Sequence, residues 1–206
     1  SAASDVYKRQ GDGYAIGMGH TIHALRRNMN MTYIVMDNQI YGLTKGQTSP
    51  SSAVGFVTKT TPKGNIEKNV APLELALSSG ATFVAQGFSS DIKGLTKLIE
   101  DAINHDGFSF VNVFSPCVTY NKINTYDWFK EHLTSVDDIE NYDSTDKQLA
   151  TKTVIEHESL VTGIVYQDKE TPSYESQIKE LDDTPLAKRD IKITEDTFNA
   201  LTEQFI

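Results

Sequence analysis

The sequence has little cysteine, tryptophan or proline: one, one and six among 206 residues. The single cysteine, Cys117, excludes an internal disulfide framework and suits the reducing cytoplasm, which is the expected compartment. No apolar run approaches the ~20 residues that a membrane span requires, so no membrane association is expected. Positive charge is scarce as well, with 19 Lys and Arg against 28 Asp and Glu. The imbalance is local: residues 1–130 carry a net +2 and residues 131–206 a net −11. Neither part holds a basic stripe, which argues against nucleic acid as a partner. There is no internal repeat. Ser1 to Gln10 (SAASDVYKRQ) has neither the apolar core of a signal peptide nor an Arg-rich amphipathic run.

What is present is concentrated between Gly11 and Pro50. Gly11, Gly13, Gly17 and Gly19 permit close approach of the backbone to something bulky, or a positive φ. Thr21 to Asn28 reads as a helix, with Ile22 and Leu25 inward and Arg26 and Arg27 in the last turn, where cations suit the dipole. Tyr33 to Met36 is a short apolar run, the pattern of a strand buried on both faces. It ends in Asp37, Asn38 and Gln39, and the chain then loops away through Tyr41, Gly42, Leu43, Thr44, Lys45 and Gly46. Polar residues at the carboxyl end of a buried strand mark the ligand side of an open parallel sheet. A diphosphate on magnesium explains the residue types best. The metal takes hard oxygen ligands, for which Asp12, Asn38 and the carbonyl of Ile40 are candidates, and a glycine turn before a helix offers N–H groups to phosphate. The competing reading is a plain βαβ crossover whose glycines only turn corners.

Further along, Thr48 to Lys68 reads as a long surface loop, a length that is usually functional or mobile. Pro72 to Ser79 is a short helix with Pro at its start and Gly80 past its end. Thr82 to Gln86 is a strand, Ser90 or Asp91 caps a helix to about Asn104, and Phe108 to Phe114 is another strand. The alternation predicts an α/β fold, an open and mostly parallel sheet with helices on both faces. Asn124 to His132 is read as a docking helix, Ala150 to Gly163 as helical, and Gly163 to Tyr166 as a final strand followed by an arm at Pro172 to Tyr174. The expected organisation is a foreign-looking segment at 1–10, an α/β domain at 11–135 and a partly ordered acidic extension at 136–206. Asp182, Asp183 and Asp190 fall in a partner-contacting or loosely ordered tail.

Several blocks resemble the β subunit of the 2-oxoacid:ferredoxin oxidoreductases, which bind thiamine diphosphate. They are Ile22 to Asn28, Tyr33 to Gln47, Ser49-Pro50, Gly80 to Ala85, Gly107 to Phe110 and Ser115 to Thr119. The resemblance implies a thiamine-diphosphate-binding fold, incomplete at its N-terminus. It also implies a CoA-dependent oxidative decarboxylation of a 2-oxoacid of the 2-oxoglutarate or pyruvate type. The partners implied are an α subunit, ferredoxin, the 2-oxoacid and coenzyme A. Gly11, Asp12, Gly13, His20, Asn38, Ile40, Tyr41, Gly42, Leu43 and Thr44 would contact the cofactor, and Lys45 a substrate carboxylate. Asn38, Ile40 and Asp12 would hold magnesium.

The family run usually opens Gly-Asp-Gly-Asp-Gly, and its first Asp binds the metal. Gly11-Asp12-Gly13 is the second half of that run, so the aspartate position falls on Gln10, a neutral and poorer ligand. This mismatch is why residues 1–10 are read as replacing a natural upstream sequence. Cys117 in Ser-Pro-Cys is a candidate ligand of the [4Fe–4S] cluster that some members carry, although such a cluster takes four thiolates. His20 and His23, three apart, lack a third zinc ligand nearby. Two other readings stay open: an acetolactate-synthase-like thiamine-diphosphate decarboxylase, and an inactive truncated fragment. As a β subunit the chain is half an active site, and alone it is expected to be inactive.

Overall fold

The structure, a computed structural model, describes residues 4–178, 188 and 192–203. Among these, residues 4–177 form the compact unit that carries the site. Its elements are β1 (Ser4–Arg9), α1 (Met18–Arg27), β2 (Met31–Asp37), α2 (Pro72–Ser78), β3 (Phe83–Phe88) and α3 (Ile92–Asn104). They continue with β4 (Phe108–Phe114), α4 (Tyr126–His132), β5 (Thr134–Ser135), α5 (Lys147–Glu156) and β6 (Val161–Gln167).

The strands form one sheet in the order β1-β2-β4-β3-β6-β5. Pairings from β1 through β3 are parallel, with Val6 opposite Tyr33 and Tyr33 opposite Phe110. β6 runs antiparallel to β3, with a register shift at Val84/Ala85. Parallel strands need covered faces, and here the two-residue period of the side chains supplies both cores. Tyr33, Val35, Val84, Phe108 and Phe110 point to one face, against Leu25 of α1, Leu73 and Leu77 of α2 and Val154 of α5. Ile34, Phe83, Ala85, Val111 and Val113 point to the other, against Leu98 and Ala102 of α3. At the carboxyl ends of β3 and β4, Phe88 and Phe114 pack on Phe129 of α4.

Several local signals act as their chemistry requires. The Asp91 carboxylate accepts from the Gly94 N–H at 3.0 Å and caps α3. Asn28 ends α1 in the left-handed conformation at φ 51. Residues 4–9 of the segment read as foreign form the parallel edge strand of the sheet. The boundary expected at 135 does not divide the packing either: Val136, Ala150, Val154, Val161 and Val165 belong to the same core as Leu25 and Tyr33. Their apolar positions are diluted by acidic neighbours, which hid them in the composition. The helix expected over 150–163 ends at Glu156, and Gly163 lies within β6 at φ 111.

The loop after β2 is irregular but pinned. The Ser51 hydroxyl donates to Asp37 at 2.6 Å and the Ser52 hydroxyl to the Gln39 carbonyl at 2.6 Å. The Asn65 amide donates to the carbonyls of Ser52, Ala53 and Glu67. Polar bonds, not apolar periodicity, order this stretch, which is why it reads as a free loop. Outside the compact unit, α6 (Glu195–Thr202) is capped by Thr194, whose hydroxyl accepts from Thr197 N–H at 3.2 Å. Asp182, Asp183 and Asp190 lie outside the described residues.

Candidate functional site

At the carboxyl ends of β1 and β2 a cleft of about 290 Å³ is lined by residues 9–12, Ile16, Asn38 and residues 40–44. Eight of the ten expected cofactor contacts are therefore brought together: Gly11, Asp12, Asn38, Ile40, Tyr41, Gly42, Leu43 and Thr44. One side of the cleft is a helix start. Residues 10 and 11 are helical, Asp12–Ile16 form a wide five-residue turn, and α1 follows. The first N–H groups of a helix have no intrahelical partner and favour anions. Gly11 is helical, at φ −64, so its lack of a Cβ serves close approach rather than a left-handed turn. A Cβ there would run into the Tyr41 ring.

The opposite side is a tight loop closed by the Tyr41–Gln47 bridge. Gly46 N–H donates to Tyr41 C=O at 2.9 Å, and the Thr44 hydroxyl to Gln47 Oε1 at 2.5 Å. Leu43 is 78% exposed at the cleft mouth. Cys117 lies below, its Sγ 3.3 Å from where a Gly42 Cβ would stand.

Three expected contacts are not in this cleft. Gly13 is buried under Tyr33 and Val35, and its carbonyl accepts from Thr21. His20 lines a separate cleft with Val6, Lys8 and Tyr33. The helical path from residue 10 explains both, because it turns successive residues away from the opening. Lys45 is exposed, at φ 77, and outside the lining; the cation beside the cleft is Arg9.

Of the three residues expected to hold magnesium, Asp12 is exposed in the lining, and the Asn38 and Ile40 oxygens are engaged by a neighbouring side chain. Gln10, 2% exposed, donates its amide to Asn38 Oδ1 at 2.6 Å and to the Ile40 carbonyl at 2.9 Å. Those oxygens also accept from Ile40 N–H and Gly42 N–H, each at 3.1 Å. This arrangement does not fit a metal ion, since a donor sits where the ion would lie. The donor set for a cluster fails too. The chain has one cysteine, and among the described residues no three His, Cys, Asp or Glu side chains converge. Arg9, Gln10 and Ile16 are the lining residues that the expected contact set leaves out. For Gln10 the signal was available in its place within the glycine run.

Behind the cleft, burial pushes the Asp37 carboxyl up to about 6, against the pull of its bonds from Ser51 and Gln39 N–H. Burial, with Asp37 nearby, also raises the Tyr14 phenol. Tyr14 stays neutral and donates to Asn112 at 2.6 Å; the Asn112 amide in turn donates to Gln86 at 2.7 Å. A larger cleft of about 680 Å³ lies between α3 and the 135–144 segment, with Lys97, Asp101 and Lys130 on its wall.

Residues 2–113 match the family model of the thiamine pyrophosphate enzyme C-terminal TPP binding domain. Residues 117–183 match that of the C-terminal part of the pyruvate ferredoxin oxidoreductase beta chain. A 2-oxoacid:ferredoxin oxidoreductase subunit beta of a Sulfolobus species is 41% identical over 179 residues, covering 82% of this chain and 59% of the relative. The 2-oxoglutarate oxidoreductase subunit KorB of Mycobacterium tuberculosis is 48% identical over 116 residues, 56% of this chain and 31% of the relative. The solved 2-oxoglutarate:ferredoxin oxidoreductase of Magnetococcus marinus, with 2-oxoglutarate, coenzyme A and succinyl-CoA bound, is similar at TM-score 0.81 and 37% identity. That match covers 94% of this chain and 65% of the other. The chain thus spans about three fifths of the Sulfolobus relative. With the sheet and the family model over residues 2–113 in agreement, the chain belongs to the thiamine pyrophosphate enzymes, and it is similar to the β subunits of the 2-oxoacid:ferredoxin oxidoreductases.

Proposed function

We propose that this chain is the thiamine-diphosphate-binding part of a β subunit that, with an α subunit, oxidatively decarboxylates a 2-oxoacid. The 2-oxoacid is of the 2-oxoglutarate or pyruvate type, coenzyme A takes the acyl group and ferredoxin takes the electrons. The observation that carries the reading is the single cleft that unites Gly11 and Asp12 with Asn38 and residues 40–44 at two parallel strand ends.

The residues present suit the organic cofactor. The N–H groups at the helix start and the Arg9 cation would hold its diphosphate, and Tyr41, Gly42 and Leu43 would flank it. The bound cofactor supplies a nucleophilic carbon and an electron sink. What this chain contributes is binding and orientation, with Thr44 and Gln47 bracing the loop that faces the cofactor. Groups that act on the substrate belong to the α subunit in this reading, so the chain alone is inactive.

Calorimetric titration of thiamine diphosphate into the chain, alone and with its α subunit, tests the proposal. Binding that weakens in Leu43→Ser and is lost in Gly11→Leu is expected, because the leucine would fill the cleft beside Tyr41. Heat in neither setting, or binding indifferent to both substitutions, would overturn it. Reduction of a viologen dye by the reconstituted pair, compared across 2-oxoacids, then identifies the substrate.

A further inference from the structure

Two oxygens in the cleft, Asn38 Oδ1 and the Ile40 carbonyl, converge on one point, and a side-chain nitrogen already stands there. Gln10 Nε2 is 2.6 Å from the first and 2.9 Å from the second. A magnesium ion would have to approach each oxygen to about 2.0–2.1 Å, in the space that this nitrogen fills. Both oxygens are also saturated. Each has two lone pairs; the second of each takes a backbone N–H, from Ile40 and from Gly42, at 3.1 Å. The partners determine which way the Gln10 amide points. Turned over, its oxygen would face two acceptors at hydrogen-bonding distance, a repulsive contact with no donor between them.

The amide is held from its own side as well. Gln10 is buried at the junction of β1 and the helix start, with its backbone set by the parallel pairing of Arg9 with Met36. Its N–H groups therefore project into the oxygen pair by construction of the fold. A hydrogen-bond donor places partial positive charge where a cation would place a formal one. It leaves the loop geometry satisfied without an ion.

We infer that the Gln10 amide substitutes for a divalent cation at the Asn38–Ile40 oxygen pair, so that this pair excludes magnesium for as long as residue 10 is glutamine. Aspartate at that position is one methylene shorter and carries no donor. It would withdraw from the oxygen pair, open the space for an ion and add a formal ligand charge. Without metal, three oxygens would then face one another, which destabilises the empty site.

Manganese(II) alone is the probe, followed by paramagnetic resonance, so the test is independent of thiamine diphosphate and of activity. The full chain should show no saturable site, and its melting temperature should not respond to magnesium. Gln10→Asp should bind one manganese at least about tenfold more tightly than the unaltered chain, a gain from added ligand charge. Adding Asn38→Ala should abolish that gain. Gln10→Asp should also melt lower than the parent without metal and recover with it. Gln10→Met, which lacks donor and carboxylate, should melt lower and not recover. A saturable manganese site in the unaltered chain that disappears in Asn38→Ala would overturn the inference. So would a folded Gln10→Asp that binds no better than its parent. Should Gln10→Asp fail to fold, the titration of the unaltered chain and of Asn38→Ala still decides.

Discussion

Asn28 and Gln10 are both buried carboxamides, and each joins segments far apart in the chain. Asn28 lies at the amino-terminal end of the parallel strands, where its Oδ1 accepts from the Thr82 hydroxyl at 2.6 Å and Phe108 N–H at 2.8 Å. Its amide nitrogen donates to the carbonyls of Thr171 and Pro172, and its own carbonyl receives Tyr174 N–H at 2.9 Å. One residue thus ties α1, β3, β4 and the chain after β6. Gln10 lies at the opposite, carboxyl end and uses only its donors, toward two oxygens that border a cleft. The same functional group is a staple where every partner is structural. Where the partners are two converging oxygens with space beside them, it is the occupant of a potential ligand site. Burial and hydrogen bonding alone do not separate the two roles; the arrangement of acceptors does.

The comparison breaks first at Asn28. Asn28→Ala should lower unfolding free energy by about 3–5 kcal/mol, since buried donors at Thr82 and Phe108 lose their acceptor and alanine must take a positive φ. Urea denaturation measures this, and a loss near that of a surface substitution would remove Asn28 from its role as staple. Gly107 reports on the same place: it sits at φ 141, and a Cβ there would collide with the Asn28 amide.

Next in size is a pH effect at the cleft end. Asp37 is held at about 6 against an ordinary 3.8, so the folded state binds its proton more tightly than the unfolded chain. Stability from this group is therefore full below pH 3.8 and is lost as the pH rises to about 6. The loss is about 3 kcal/mol, at 1.36 kcal/mol for each pKa unit. Asp37→Asn should flatten that fall in denaturation curves taken at pH 4 and pH 7. An unchanged slope would assign it to another group.

A smaller effect is expected at Gln10. Gln10→Met keeps the volume and removes two hydrogen bonds, but each oxygen retains a backbone partner, so the loss should be about 1–2 kcal/mol. A loss equal to that of Asn28→Ala would erase the distinction between staple and occupant. The smallest change belongs to Thr44→Ala on the exposed loop. It should alter stability by no more than about 0.5 kcal/mol, yet weaken thiamine diphosphate binding measured by calorimetry.

Much of the fold was legible because its signals are local. Phe108 to Phe114 reads as a strand from its Phe- and Val-rich run, and that is the observed span, buried throughout. Pro72 opens α2 and Asp91 caps α3, as short-range chemistry requires. The Gly11-Asp12 and Asn38 to Thr44 segments were legible as one candidate site from residue types and the family resemblance, and the fold brings them to one cleft. Other features depend on partners remote in sequence. Val136 and Val165 are single apolar residues in acidic surroundings, and nothing local marks them as core. The helical path after Gln10 turns Gly13 and His20 away from the cleft, whereas a glycine-rich run reads equally well as an open turn.

By itself the sequence determined the alternation of strand and helix, the two-faced burial of the central strands and the family, since all three reside in the order of residues along short stretches. Only the tertiary structure decided that residues 4–9 complete the sheet, because an edge strand is defined by the neighbour it pairs with. Only it decided, too, what Gln10 does. In the sequence this is a glutamine at the position where the resemblance leads one to expect an aspartate. In the fold, pairing of β1 beside β2 carries its amide to Asn38 and Ile40, 28 and 30 residues away. The length of one methylene and the direction of two N–H bonds then settle which positive group the oxygens meet.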